Sequence, residues 1–193
     1  MRRFVPASPR SKADIESLAL SIIQAYQPGV LNKGERFEIE RFFDCELEAL
    51  TRVSTDYQKL SDEIYGYTDS EDMVCVISSA LADDHRKEKF YRSTMAHEVG
   101  HAVMHVRDYR RMKAFLRSVN KKNHQLCVYR EEEIILYQNP EWQAWRFAGA
   151  ILMPDPAFKS AVRRGSNVND LSKRFGVNPK FVQSRLKALD LRV

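Results

Sequence analysis

The chain has 193 residues, 44% hydrophobic and 30% charged, with a formal net charge of +5. That length and balance describe one soluble globular domain, or one with a small appendage, able to bury a real core. No run of about 18 apolar residues exists, which excludes a membrane-spanning helix, and the two arginines of Met1–Pro6 lack the apolar stretch of a secretory signal. Three cysteines, Cys45, Cys75 and Cys127, are odd in number and lack metal-type spacing, so they read as small core residues in a reducing cytoplasm rather than a disulfide framework.

Residues 1–10 read as a flexible basic tail. Ser11 with Asp14 three residues on forms a capping-box pattern that opens a helix to about Tyr26, carrying Ile15, Leu18, Ala19, Ile22 and Ile23 at helical spacing. Pro28-Gly29 stops it. A second helix is expected from Glu38 to Leu50. The period then changes: 51–60 and 62–67 are candidate strands, 68–72 a polar turn, and 73–78 a more buried β-branched strand. A helix follows from about Arg86 to Val106. Between 107 and 139 the pattern is weaker, with a helix suggested over 113–119 and short strands near 126–130 and 134–137. Pro140 suits the first turn of another helix, ending at Met153-Pro154. Residues 155–193 read as three short helices.

Within the Arg86–Val106 helix lies His97-Glu98-Val99-Gly100-His101. Histidines four apart stand on one helical face and can share one tetrahedral metal ion, most often zinc. Glu98 is placed to take a proton from a water at that ion. The surrounding Phe90, Thr94, Val99, Ala102, Val103 and Val106 make the helix read as buried, where unpaired polar rings are costly unless they bind metal.

A catalytic zinc site needs a third protein ligand. His105 lies one turn further, about 6 Å along the axis from His101, and reads as a supporting residue. His85 and His124 have no spacing argument. Glu141 opens a helix whose following face, Ala144, Phe147, Ala148, Ile151 and Leu152, must pack on the core. A carboxylate there is a normal third ligand, although Glu131, Glu132, Glu133 and Asp155 compete with it.

The motif His97-Glu98-Val99-Gly100-His101, followed by Glu141-Trp142-Gln143-Ala144, Phe147-Ala148 and Ile151-Leu152-Met153-Pro154, resembles the ImmA/IrrE family of metallopeptidases, over roughly residues 12–190. The resemblance implies zinc held by His97, His101 and Glu141, with Glu98 as catalytic base. It implies a zinc-dependent regulatory endopeptidase that cleaves a helix-turn-helix transcriptional repressor. The chain departs from the family at Trp145, where Asn or Asp is usual. That position would supply the acceptor that a metal-bound imidazole needs for its other N–H, and tryptophan offers only a donor. Tyr91, His124, Tyr137 and Arg146 are candidates to stabilise an oxyanion.

The fold expected is α+β: a small mixed sheet packed on the motif helix, a minimal zincin-like metallopeptidase. The division expected is a tail at 1–10, a peptidase domain at 11–155 and a helical subdomain at 156–193. An extended substrate could add to an exposed strand edge. Residues 169–182 have helix-turn-helix form, with Gly176 at the turn and Asn178-Pro179 opening the second helix. Lys180, Gln183, Arg185 and Lys187 could reach DNA, and basic groups at 107–130 and 163–187 could attract nucleic acid or an acidic partner. DNA binding is allowed but not favoured over a helical unit packed on the protease and a solvated basic surface. The alternative function is a weak or inactive regulator, or a toxin–antitoxin partner, that binds a repressor or DNA through its C-terminal helices.

Overall fold

The computed structural model describes residues 3–119 and 126–193. A short strand β1 (Arg3–Phe4) precedes α1 (Lys12–Tyr26), α2 (Gly29–Asn32), α3 (Ile39–Cys45) and α4 (Leu47–Thr51). Strands β2 (Ser54–Gln58), β3 (Gly66–Asp69) and β4 (Val74–Ser78) follow, then α5 (Ser79–Ala82) and α6 (Glu88–His101). A π-helical turn over Ala102–Val106 carries α6 directly into α7 (Arg107–Val119). Strand β5 (Tyr129–Arg130) and two 3₁₀ turns lead to α8 (Pro140–Leu152), α9 (Asp155–Arg163), α10 (Val168–Phe175) and α11 (Pro179–Ala188).

Local signals set several of these boundaries. Ser11 and Asp14 make the reciprocal capping box, and Asn139 Oδ1 accepts the Trp142 N–H above Pro140 at the first position of α8. The sheet is mixed, in the order β2-β4-β3, with β2 parallel and β3 antiparallel to β4. Cys75, Val76 and Ile77 of the central strand are fully buried. Cys75 and Ile77 share one core with Met95 and Val99 of α6, Phe147 and Ile151 of α8, and Ile15 and Ile23 of α1. The α+β class expected from the sequence is the observed one.

Other expectations change. The helix expected over 38–50 breaks at Glu46. The motif helix does not stop at Val106 but runs on to Val119, and α7 buries no residue, which is why its apolar signal is faint. The strand expected at 134–137 is replaced by turns, and only Tyr129–Arg130 of 126–130 is extended, paired antiparallel to β1. Residues 3–10, read as a tail, lie against the body. Ala7 donates to the Gln138 carbonyl at 2.8 Å, Arg10 pairs with Asp108 at 2.9 Å, and Val5 O accepts from Tyr109 at 2.8 Å. Cys45 and Cys127 are exposed, and only Cys75 is a core residue.

Two buried arginines fasten the C-terminal helices. Arg185, one of the residues that could have reached DNA, is 2% exposed, with both terminal nitrogens on Glu16 of α1 and its Nε donating to the Met153 carbonyl at 3.0 Å. Arg92 of α6 is fully buried. It holds Glu40 at 2.8 and 2.6 Å and donates to the Phe37 and Gly176 carbonyls. Gly176 turns the chain between α10 and α11 with φ +63°, and a side chain there would strike Arg36 and Arg92.

Candidate metal centre

Helices α6 and α8 pack side by side. Gly100 allows it: a Cβ there would lie 3.1 Å from Phe147 Cδ1 and 3.2 Å from the Cα and carbonyl oxygen of Ala144. This close approach brings Glu141, on the first turn of α8, against the motif face of α6. His97 Nε2 and His101 Nε2 are 3.1 Å apart, and the Glu141 oxygens lie 3.4 Å from the first and 3.3 Å from the second. No other group of three metal-type side chains converges among the described residues. A tetrahedral zinc with bonds of about 2.0–2.1 Å sets its ligand atoms about 3.3–3.4 Å apart. The donor set and its spacing therefore fit such an ion. Burial opposes ionisation of Glu141, but the bonds from His101 and His97 outweigh it and hold the carboxyl below its usual range.

The support behind the two histidines is unequal. His101 Nδ1 is 3.0 Å from His105 Nδ1, and His105 Nε2 is 2.9 Å from Gln143 Oε1. Gln143 is fully buried and its amide nitrogen donates to the Ser8 and Tyr137 carbonyls at 2.9 and 2.7 Å. Its oxygen must therefore accept, so His105 carries its proton on Nε2. Burial, with His101 alongside, pushes the His105 pKa down to about 3, and the ring is neutral. Its Nδ1 then accepts the proton on His101 Nδ1, so that a metal ion displacing the Nε2 proton would find the His101 Nε2 lone pair free to hold it. One hydrogen-bonded chain thus sets the tautomer a metal requires. His97 lacks this: its Nδ1 is buried with no hydrogen-bond partner among the described residues, and Trp145 lies over its ring at 4.3 Å between centroids.

Glu98 stands on the side of α6 that faces β3. The Thr68 hydroxyl lies 2.9 Å from its Oε2, and a Cβ on Gly66 would fall 2.9 Å from its Cγ. Burial raises the Glu98 pKa, with His101 and Thr68 offsetting part of the rise. Gly66, Thr68 and Gln143 are residues that sequence reasoning missed. Gln143 stood inside the quoted motif; the other two gave no signal.

The remaining candidates do not gather here. Arg146 is committed to Glu16 at 3.0 Å and the Ala188 carbonyl, and the Tyr91 hydroxyl lies 3.2 Å from that of Tyr57. Tyr137 is half exposed and edge-on to Trp142. His124 lies outside the described residues. Asp155 pairs with Lys159, and Glu131, Glu132 and Glu133 form an exposed 3₁₀ turn.

An α+β protein with a helix-borne His-Glu-x-x-His and a carboxylate from a second helix defines the class. The family model for the IrrE N-terminal-like domain matches residues 80–187, more than half of the chain, and the chain belongs to this ImmA/IrrE peptidase family. A solved Mycobacterium tuberculosis transcriptional regulator shares the fold, with a TM-score of 0.59 and 16% identity, over 91% of this chain and 46% of its own. The present chain thus spans about half the length of that regulator. No curated protein matches it.

Proposed function

We propose that the chain is a zinc-dependent regulatory endopeptidase whose metal is held by His97, His101 and Glu141. The observation that carries this is the convergence of those three side chains to tetrahedral spacing, with Glu98 beside them. Zinc, when bound, lowers the pKa of a water towards 7 and polarises the scissile carbonyl. Glu98 takes the proton of the attacking water and returns it to the leaving amine. Its raised pKa suits both roles, and Thr68 fixes the carboxylate. Residues 11–155 form the peptidase unit and 156–193 a helical subdomain bound to it. Family membership, and a fold neighbour that is a transcriptional regulator, support a helix-turn-helix repressor as substrate in a cytoplasmic setting. Among the described residues, no helix is long and apolar enough to cross a membrane.

The test pairs metal content with cleavage. Purified protein should carry about one zinc, and Glu98→Gln should keep it while losing cleavage of repressors encoded nearby. Undiminished cleavage by Glu98→Gln refutes the mechanism; a zinc-loaded protein that cleaves none of them refutes the substrate. A second reading, a metal-bound regulator with weak turnover that acts by binding, is favoured by one observation, the unsupported Nδ1 of His97.

A further inference from the structure

The metal helix has a second working face. Just past His101, the π turn forms part of the floor of an open groove of ≈ 1070 Å³, bounded by α1, α4 and α7. The floor is apolar: Leu18 and Ile22 of α1, Leu50 of α4, Met73, Val103 and Val106. The rim is cationic: Arg52, Arg107, Arg110, Arg111, Lys113 and Arg117. Glu71 is the single carboxylate among the described lining residues. The excess of positive charge on this rim equals the formal charge of the whole chain, +5.

Part of that charge is already used. Lys113 holds Glu71 at 2.6 Å, and Arg110 donates to the Ser70 and Glu71 carbonyls at 3.2 Å. Lys113, Arg117 and Arg110 together hold the Glu71 carboxyl below its usual range, so the rim favours a carboxylate set within it. Arg52, Arg107, Arg111 and Arg117 have no carboxylate partner among the described residues. Residues 120–125 contain no Asp or Glu that could supply one.

We propose that this groove binds an acidic amphipathic helix of a partner protein, three to four turns long, with its apolar stripe on the floor and its flanking carboxylates on the arginine rim. Length supports a helix: the lining runs from Ala102 to Arg117, about 22 Å at 1.5 Å per residue. An apolar floor between two helical walls is the setting in which helices dock through residues at i, i+3, i+4 and i+7. A DNA duplex would meet the arginines through phosphate and leave the floor unused. The inference goes beyond peptide hydrolysis and needs neither zinc nor Glu98.

The test is selection of binders from an array of amphipathic helical peptides sharing one apolar stripe, flanked by Glu, Gln or Lys. The full-length protein is used, with and without zinc. Glu-flanked peptides should be enriched in both forms. Arg111→Glu with Arg117→Glu should weaken the best binder roughly tenfold or more. Ser21→Trp, which plugs the groove from an exposed position of α1, should do the same, with melting temperatures unchanged for both variants. Equal binding of all three flanks, or Ser21→Trp without effect, overturns the proposal. So does duplex DNA binding tighter than any peptide and lost in the arginine variant. Loss of binding on zinc removal would move the site to the metal centre and equally overturn it.

Discussion

Trp145 lies against the ring of His97 and offers that imidazole no acceptor. The rings are 4.3 Å apart and tilted by 38°, and His97 Nδ1 has no hydrogen-bond partner among the described residues. Trp145→Asp should supply one from the turn after Glu141. Zinc affinity, measured by competition with a chromogenic chelator, should rise on the order of 10–100-fold. Trp145→Phe should leave it unchanged. An aspartate variant no tighter than the native protein would show that His97 is oriented by packing alone.

In the proposed site, His105 and Gln143 would act on the metal through His101. His105→Ala removes the acceptor that fixes the His101 tautomer and should weaken zinc binding by about 10–100-fold. Gln143→Leu should cost more in stability, because the Ser8 and Tyr137 carbonyls lose their donor as well. The cost is about 1–3 kcal/mol for each buried group left unsatisfied. Nitrogen-15 NMR of the histidines should show Nδ1 of His101 protonated in the zinc form. A deprotonated Nδ1 there contradicts the relay.

Gly100 and Gly66 lie against different parts of the proposed site, the first against Ala144 of α8 and the second against Glu98. Gly100→Ala presses on the backbone of α8 at Ala144 and should displace Glu141, costing about 1–3 kcal/mol of stability and weakening zinc binding. Gly66→Ala presses on Glu98 and the Val76 carbonyl. It should lower turnover with zinc affinity held. Equal loss of zinc in both variants would rule out this division of labour.

The Glu16 carboxylate is shared by Arg185 and Arg146, and Arg185 is buried. Glu16→Ala strands that guanidinium and should cost about 3–5 kcal/mol in urea unfolding. The double variant with Arg185→Met should recover much of the loss, since the apolar stem packs where the arginine did. No recovery would mean that the charge itself holds α11 in place.

What was legible in the sequence was local. The Ser11–Asp14 box, Pro140 at a helix start and the four-residue spacing of His97 and His101 each declare themselves within one helical turn. Glu141 was the better candidate on spacing, but it needed the resemblance to stand clear of four other carboxylates that competed with it. The rest depended on distant partners. Strands of two residues, such as Arg3–Phe4, carry no period to detect. Arg92 and Arg185 look like surface charges until Glu40 and Glu16 are seen beside them. Helix α7 was half missed since solvent, not core, surrounds it. Trp145 was legible as a gap in the support of a ligand, and the unpartnered Nδ1 of His97 is that gap.

The brace that sets the His101 tautomer joins positions of very different separation. His101 and His105 are four residues apart, while Gln143 reaches back to Ser8 across 135. The ligand pair can therefore form as soon as one stretch of helix does, but its correct protonation waits on one of the most distant closures in the chain. In the proposed site, a chain with α6 formed and residues 3–10 undocked would hold its histidines in place with Gln143 tied to the Tyr137 carbonyl alone, and should bind metal less tightly. Zinc uptake followed in time during refolding would then trace the docking of that segment rather than the growth of the helix.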